Sequence, residues 1–136
     1  MIYTGTFRSN QYTFFGFDMV YGDMVIVFPE TFDINLLNVN TNTLNNTDLP
    51  DIKFDMKITY KGAYNSNKSM KFSFLRAETN ASKLGLPTIR KYTYVGSNNS
   101  YQTLQLQKLF VENGRIHGEW KSSNPDDEGT FRLEHF

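Results

Sequence analysis

Two histidines and a short acidic run are among the residues in this sequence whose chemistry could serve a reaction or bind a metal ion. Imidazole exchanges protons near neutral pH and ligates metals, so His117 and His135 are the first candidates. A metal centre needs three or four converging ligands, and the predicted strand pattern places the two histidines on opposite faces. We therefore predict no metal site and no catalytic histidine, with His117 facing outward on a hairpin.

The acidic run at residues 126–128 follows Asn124-Pro125. Calcium loops of the EF-hand type space their oxygen ligands at alternate positions and close on a glutamate, and this run does not. Asn-Pro is favourable in a type I turn, so we predict that Asp126, Asp127 and Glu128 form a solvated loop tip. The sequence has no cysteine, no phosphate-binding glycine loop and no Gly-x-Ser-x-Gly motif. We predict no catalytic residue and no cofactor.

Composition narrows the classes of partner. The 136 residues suit one domain spanning 1–136, and 14 basic residues balance 14 acidic ones. Proteins that bind nucleic acids usually carry a basic excess, so we predict no nucleic-acid partner. No apolar run approaches the ~20 residues that span a bilayer, and no basic segment followed by an apolar one opens the chain. We expect a soluble protein without a membrane span, cytoplasmic by default.

Alternation of apolar and polar residues is the main structural signal. In residues 52–61, IKFDMKITYK, every second side chain is apolar, which is typical of a strand with one buried and one solvated face. Asn113-Gly114 is the preferred pair for a two-residue type I′ turn. That turn predicts the cross-strand pairs Glu112–Arg115, Val111–Ile116, Phe110–His117 and Lys108–Glu119. A bulge near residues 107–108 would bring Leu104, Leu106, Leu109 and Val111 to one face.

Residues 15–28 predict a second hairpin, with Gly22-Asp23 as its turn. One face would be strongly apolar and would carry Phe15, Phe17, Met19, Tyr21, Met24, Ile26 and Phe28. The opposite face would carry Phe14, Asp18, Val20, Val25 and Val27. This opposite face is more apolar than a solvated surface requires, so we predict that something covers it.

Further strands are predicted near both ends and through the middle of the chain, at residues 2–8, 70–76, 91–96 and 129–136, with an edge strand at 33–40. Eight to ten strands separated by turns are typical of a barrel or a sandwich. Short connections favour the barrel, because its first strand can pair with its last and leave no free edge. We predict an all-β fold, a single antiparallel up-and-down barrel, with a β-sandwich as the alternative.

The two ends of the chain resemble those of calycins, the lipocalin, fatty-acid-binding and avidin barrels. Calycins commonly open with Gly-x-Trp and place a basic residue on the last strand, across the tryptophan ring. Here Gly5-Thr6-Phe7 has phenylalanine in place of tryptophan, and Arg132 is the basic residue. The resemblance covers only these ends. It implies a ligand cavity inside the barrel.

A barrel of about eight strands can be just filled by side chains or can hold one ligand. We therefore predict a non-enzymatic binding protein whose interior holds a small apolar molecule. The predicted cavity lining is Phe54, Met56, Phe72, Tyr92, Leu104, Leu106 and Trp120. The alternative is a structural or interaction module that forms a homodimer or binds a protein partner through the outer face formed by Phe14, Val20, Val25 and Val27. An enzyme is the third alternative.

Overall fold

Eight antiparallel strands close into a barrel in this computed structural model, as the sequence predicts. The structure describes residues 1–10, 13–14, 17–18, 20–38, 49–62, 67–79, 91–99, 101–123 and 126–136. The strands are β1 (Ile2–Ser9), β2 (Thr13–Phe14), β3 (Phe17–Asp18), β4 (Tyr21–Val27), β5 (Phe54–Tyr60), β6 (Ser69–Thr79), β7 (Lys91–Ser97), β8 (Thr103–Glu112), β9 (Arg115–Ser123) and β10 (Asp127–His135). Strands β4 to β10 pair in chain order, and β1 closes the barrel between β10 and β4. Strands β2 and β3 form a separate two-stranded sheet.

Period-two alternation determines which side chains enter the barrel. In β5, Phe54, Met56 and Ile58 are buried, while Asp55 and Lys57 are exposed. The same alternation runs through β8, β9 and β10. The prediction of one buried and one solvated face is therefore confirmed for these strands.

The β8–β9 hairpin has the predicted turn and register. Asn113 and Gly114 have φ angles of 52° and 73°, the left-handed values that a type I′ turn requires. The three pairs nearest the turn match the prediction, and the register shifts between Gln107 and Phe110. This bulge, with Lys108 at φ 51°, brings Leu104, Leu106, Leu109 and Val111 to the buried side.

One of the two ion pairs expected on this hairpin differs from the prediction. Lys108 forms the expected ion pair with Glu119, at 3.4 Å, although the bulge places Gln107 opposite Glu119. Arg115 instead pairs with Glu134 on β10, at 3.0 Å. Strand β10 lies beside β9, so it offers Arg115 a carboxylate on the same outer face.

The predicted turn at Gly22-Asp23 is wrong, because both residues lie inside β4. Gly22 pairs with Phe7 on one side and with Tyr60 on the other. A Cβ atom on Gly22 would lie 2.0 Å from the Thr59 carbonyl oxygen and 3.0 Å from the Phe7 ring. Glycine is needed here for close packing. From the sequence alone, a glycine required by packing looks the same as a glycine required by a turn.

The predicted edge strand at residues 33–40 is also wrong, because Ile34–Leu37 form a short 3₁₀ helix. The Asp33 side chain caps this helix by accepting a hydrogen bond from the Asn35 amide, at 3.0 Å. Ile34 and Leu37 are buried against the barrel core, and Leu49 joins them farther along the chain. No helix in the described part of the chain is long and apolar enough to cross a bilayer.

Ile34, Leu37 and Leu49 cover the end of the barrel at which β4 finishes and β5 begins. We call this end the closed end. Tyr94 donates a hydrogen bond from its hydroxyl to the Pro50 carbonyl oxygen, at 2.6 Å. Arg76 donates to the Leu49 carbonyl oxygen at 3.0 Å and lies 3.5 Å from the Asp51 carboxylate. Burial raises the pKa of the Tyr94 hydroxyl, so it stays protonated as a donor. The segment before β5 is thus held from inside the barrel.

Aromatic rings fill the interior next to the closed end. Phe54 stacks on Phe74 with ring centroids 5.0 Å apart, and it meets the Tyr94 ring edge-on at 5.1 Å. Phe28 lies 5.1 Å from Phe54 on the other side. Such ring pairs add about 0.5–1.5 kcal/mol each beyond the burial of their area. Aromatic side chains therefore occupy this part of the interior.

Inward-facing glycines make room for these rings. At four positions a glycine lies directly opposite an aromatic residue of the neighbouring strand, in the pairs Phe7–Gly22, Phe74–Gly96, Phe131–Gly118 and Trp120–Gly129. At each glycine an added Cβ atom would come within 3.0 Å of the opposite ring. The rings therefore lie flat over the neighbouring strand, in space that any other residue would occupy.

We expect Gly96→Ala to lower the free energy of unfolding by about 1–3 kcal/mol, the usual cost of overpacking a core. The added Cβ would lie 2.5 Å from the Phe74 ring, and its three nearest neighbours all belong to that ring. Urea unfolding of both single variants and the double variant with Phe74→Leu would measure the coupling. An equal cost of Gly96→Ala with and without the Phe74 ring would contradict this account.

Candidate functional site

A cavity of about 60 Å³ lies inside the barrel at the end opposite to the closed end. We call this the cavity end; β1, β5 and β9 finish there, and β10 begins there. Apolar side chains line the cavity from Phe7, Val20, Met24, Ile58, Phe72, Leu104 and Trp120. Polar groups come from Tyr60, Gln102, Thr103, Ser122 and Asp127. The cavity thus has an apolar base and a polar rim.

Three aromatic rings form one wall of the cavity. The Phe7 ring meets the Tyr60 ring edge-on at 5.7 Å and the Trp120 ring edge-on at 6.2 Å. Trp120 donates a hydrogen bond from its indole nitrogen to the Thr130 carbonyl oxygen, at 3.2 Å. Gly129, directly opposite, leaves space for the Trp120 ring. The wall is therefore fixed by packing and by a hydrogen bond.

Among the described residues that line this cavity, Asp127 is the one carboxylate, and it is only 8% exposed. Its Oδ1 atom accepts a hydrogen bond from the Ser9 hydroxyl at 2.7 Å and another from the Glu128 amide at 2.8 Å. Ser9 is itself buried and ends β1, while Asp127 begins β10. The carboxylate thus joins the two strands that close the barrel.

The electrostatics of Tyr60 reflect this buried charge. Desolvation by burial raises the pKa of the Tyr60 hydroxyl, and the negative charge of Asp127 raises it further. Both effects disfavour the phenolate. The hydroxyl at the rim therefore remains neutral and able to donate or accept a hydrogen bond.

The predicted solvated tip at residues 126–128 is wrong for its middle residue. Asp126 and Glu128 are exposed, but Asp127 is buried. Asp127 has the same parity as Phe131 and Leu133, which point into the barrel from the same strand. Counting back from these residues by twos would have identified Asp127 as inward-facing. The turn signal at Asn124-Pro125, two residues that lie outside the described part of the chain, favours a solvated tip and takes no account of this parity.

The structure separates the seven residues that the sequence predicts as cavity lining. Phe72, Leu104 and Trp120 line the cavity. Phe54 belongs to the aromatic packing near the closed end, and Met56 and Leu106 are buried without reaching the cavity. Tyr92 is only half-buried, and the Arg76 guanidinium lies 4.0 Å from its ring centroid. All seven lie on the inward side of their strands, with Tyr92 packed against the edge of the core, but only Phe72, Leu104 and Trp120 border the cavity.

The predicted outer apolar face is only partly present. Val25 and Val27 face outward on β4, and Val27 is 45% exposed. Ile2 pairs with Val27 and is 41% exposed. Val20, by contrast, packs against the core and lines the cavity, because it precedes β4 at the cavity end. Phe14 lies in β2, and its side chain lies outside the described residues.

The two histidines lie apart from the cavity. His117 is half-buried on the outer face of β9, opposite Arg132. His135 is exposed at the end of β10, and its ring meets the Tyr3 ring edge-on at 5.1 Å. Across the residues described, no three histidine or acidic side chains converge as metal ligands would.

The contact that the calycin resemblance implies between Arg132 and Phe7 is not made. Arg132 is exposed on the outer face and pairs with Thr6, whereas the Phe7 ring is buried inside the barrel. No family model matches the chain, and no curated protein or solved structure is significantly similar to it. Membership of the calycins therefore stays a prediction.

We expect Asp127→Asn to lower the pKa of Tyr60 toward the usual tyrosine value of about 10. The substitution removes the nearby charge, while burial, the larger cause, remains. The pKa should consequently stay above the usual value. Carbon-13 NMR of labelled tyrosine, with Tyr60→Phe to assign the signal, would follow the titration.

Asp126→Asn is the matched control, because it removes the same charge from an exposed neighbour. It should leave the Tyr60 titration unchanged. The sign for stability follows from the raised pKa: above pH ~10 the unfolded chain loses this proton first, so the contribution of Tyr60 to stability falls as pH rises. An Asp127→Asn protein with an unaltered Tyr60 titration would contradict this reading of the rim.

Proposed function

We propose that this protein is a non-enzymatic binding protein that holds a small, mainly apolar molecule in the cavity of its barrel. The observation that supports this proposal most is the interior cavity of about 60 Å³, with an apolar base and a polar rim. Ligand sites are typically concave and mainly apolar, with a few polar groups that orient the ligand. The cavity has this character on a small scale.

Its volume limits the ligand. One water molecule needs about 10–15 Å³ of such space, so 60 Å³ has room for about four to six groups of that size. The aromatic packing around Phe54 and Phe74 prevents a longer chain from reaching the closed end. A fatty acid or a retinoid would therefore have to displace core side chains, and we propose a ligand much smaller than either.

The small size of the ligand also limits its affinity. The best very small ligands gain about 1.5 kcal/mol per non-hydrogen atom. A ligand of about five such atoms therefore binds no tighter than the micromolar range. Binding measurements should accordingly cover micromolar to millimolar concentrations.

We expect small neutral compounds such as n-butanol to change the fluorescence of Trp120 on titration. The signal would be specific, because Trp120 is the only tryptophan in the chain and lines the cavity. Ile58 also lines the cavity, so Ile58→Phe should fill it and weaken binding at least about tenfold. Saturable binding is the expected result.

Ile116→Val is the control for this experiment. Ile116 is buried but does not border the cavity, so this variant should lose about 0.5–1.5 kcal/mol of stability and bind normally. Equal binding by Ile58→Phe and the wild type would place the ligand elsewhere. If no small apolar compound saturates the Trp120 signal, the proposed function is wrong.

The second candidate function is self-association through the outer apolar patch formed by Ile2, Val25 and Val27. The exposure of the paired residues Ile2 and Val27 favours it. Exposed apolar patches on folded proteins often mark interaction sites. Lys57, which pairs with Val25, limits the patch on its β5 side.

If this candidate is correct, Val27→Asp should dissociate a dimer, because it places a charge in the apolar contact. Leu75→Asp is the matched control, since Leu75 is 49% exposed on β6, away from the patch. Sedimentation velocity over a range of concentrations would measure the oligomeric state. A wild-type protein that stays monomeric at the highest concentration would rule out self-association.

A further inference from the structure

Among the described residues, no group donates a hydrogen bond to the Oδ2 atom of the Asp127 carboxylate. Both hydrogen bonds to its side chain go to Oδ1. No lysine, arginine or histidine in that part of the structure forms an ion pair with it. Buried carboxylates are normally paired or fully hydrogen-bonded, because removing a charge from water is costly. Asp127 therefore has the capacity for one more cationic or hydrogen-bonding partner.

The cavity is the place from which such a partner could reach Asp127. The carboxylate lines the cavity together with the three rings of its aromatic wall. Aromatic ring faces carry partial negative charge and attract cations within about 6 Å. A carboxylate beside three rings favours a positively charged group and repels an anion.

The type of cation follows from the same geometry. Oδ2 is a hydrogen-bond acceptor, so a group that carries N–H donors fits it better than a quaternary ammonium, which has none. A primary ammonium also offers two further donors, which the Tyr60 hydroxyl and the other rim oxygens could accept. The limited volume and apolar base of the cavity leave space for a short alkyl chain behind the ammonium.

We propose that the cavity binds the ammonium head of a small primary alkylamine, with Asp127 as its counter-ion and hydrogen-bond acceptor. This inference rests on the proposed function and deepens it, because it gives the chemical class of the ligand. Water could fill the same space. The experiment must therefore separate an amine site from a hydrated cavity.

The test compares n-butylammonium with n-butanol, which has the same number of non-hydrogen atoms and no charge. Titration of Trp120 fluorescence at neutral pH would measure both, with NMR shifts of the indole N–H as a second readout. Hydrogen bonds between charged groups are the stronger class. We therefore expect n-butylammonium to bind about 10–100-fold more tightly than n-butanol.

Asp127→Asn should remove this preference. The amide keeps an oxygen to accept the hydrogen bonds from Ser9 and Glu128, so the variant should fold, which its n-butanol binding would check directly. Asp126→Asn, which removes an exposed charge one residue away, should retain the preference. Tetramethylammonium should bind more weakly than n-butylammonium, because it cannot donate to Oδ2.

The outcomes are distinct. If n-butanol binds and n-butylammonium binds no tighter, the amine proposal is overturned while the proposed function stands. Equal preference in the wild type and Asp127→Asn would also overturn it, as would tighter binding of tetramethylammonium. If neither compound produces a saturable change, the cavity is only hydrated, and both proposals are wrong.

Discussion

The limited space inside an eight-stranded barrel is the constraint on which the rest of this structure depends. Strand number sets the diameter, and an interior of this size is just wide enough for side chains to fill. This chain fills the interior largely with aromatic rings, and the interior is too narrow for every strand to contribute one at the same level. An inward-facing glycine directly opposite a ring leaves the space that the ring occupies. The rings stack near the closed end, and the cavity lies at the opposite end.

The sequence predicts the parts of this fold that are determined locally. Period-two alternation in β5 and the Asn113-Gly114 turn each involve neighbouring residues, so their signals can be read without knowing the rest of the chain. Gly22 is different, since its reason is a carbonyl on β5 and a ring on β1. Both partners are distant in sequence. The predicted turn is wrong for this physical reason, because the chain continues through Gly22 and Asp23 as one strand.

The difference between local signals and contacts distant in sequence also explains which part of the candidate site could be predicted. Parity predicts that Leu104, Leu106 and Trp120 point inward, and they do. It does not predict which of them borders empty space, because that depends on how rings from other strands pack. The 3₁₀ helix at Ile34–Leu37, which covers the closed end, has the composition of a short strand. The sequence therefore does not show at which end of the barrel the cavity lies.

Asp127 combines a structural role with a charge that this role does not require. Its hydrogen bond with Ser9 joins β10 to β1, where the barrel closes. An asparagine side chain could accept the same hydrogen bond from Ser9 without the cost of removing a charge from water. The hydrogen bond with Ser9 therefore does not by itself require a charged residue at this position. A charged acceptor is consistent with a partner in the cavity, because a neutral acceptor would hold that partner less strongly. The charge of Asp127, rather than its hydrogen bond, is therefore the feature that needs a functional explanation.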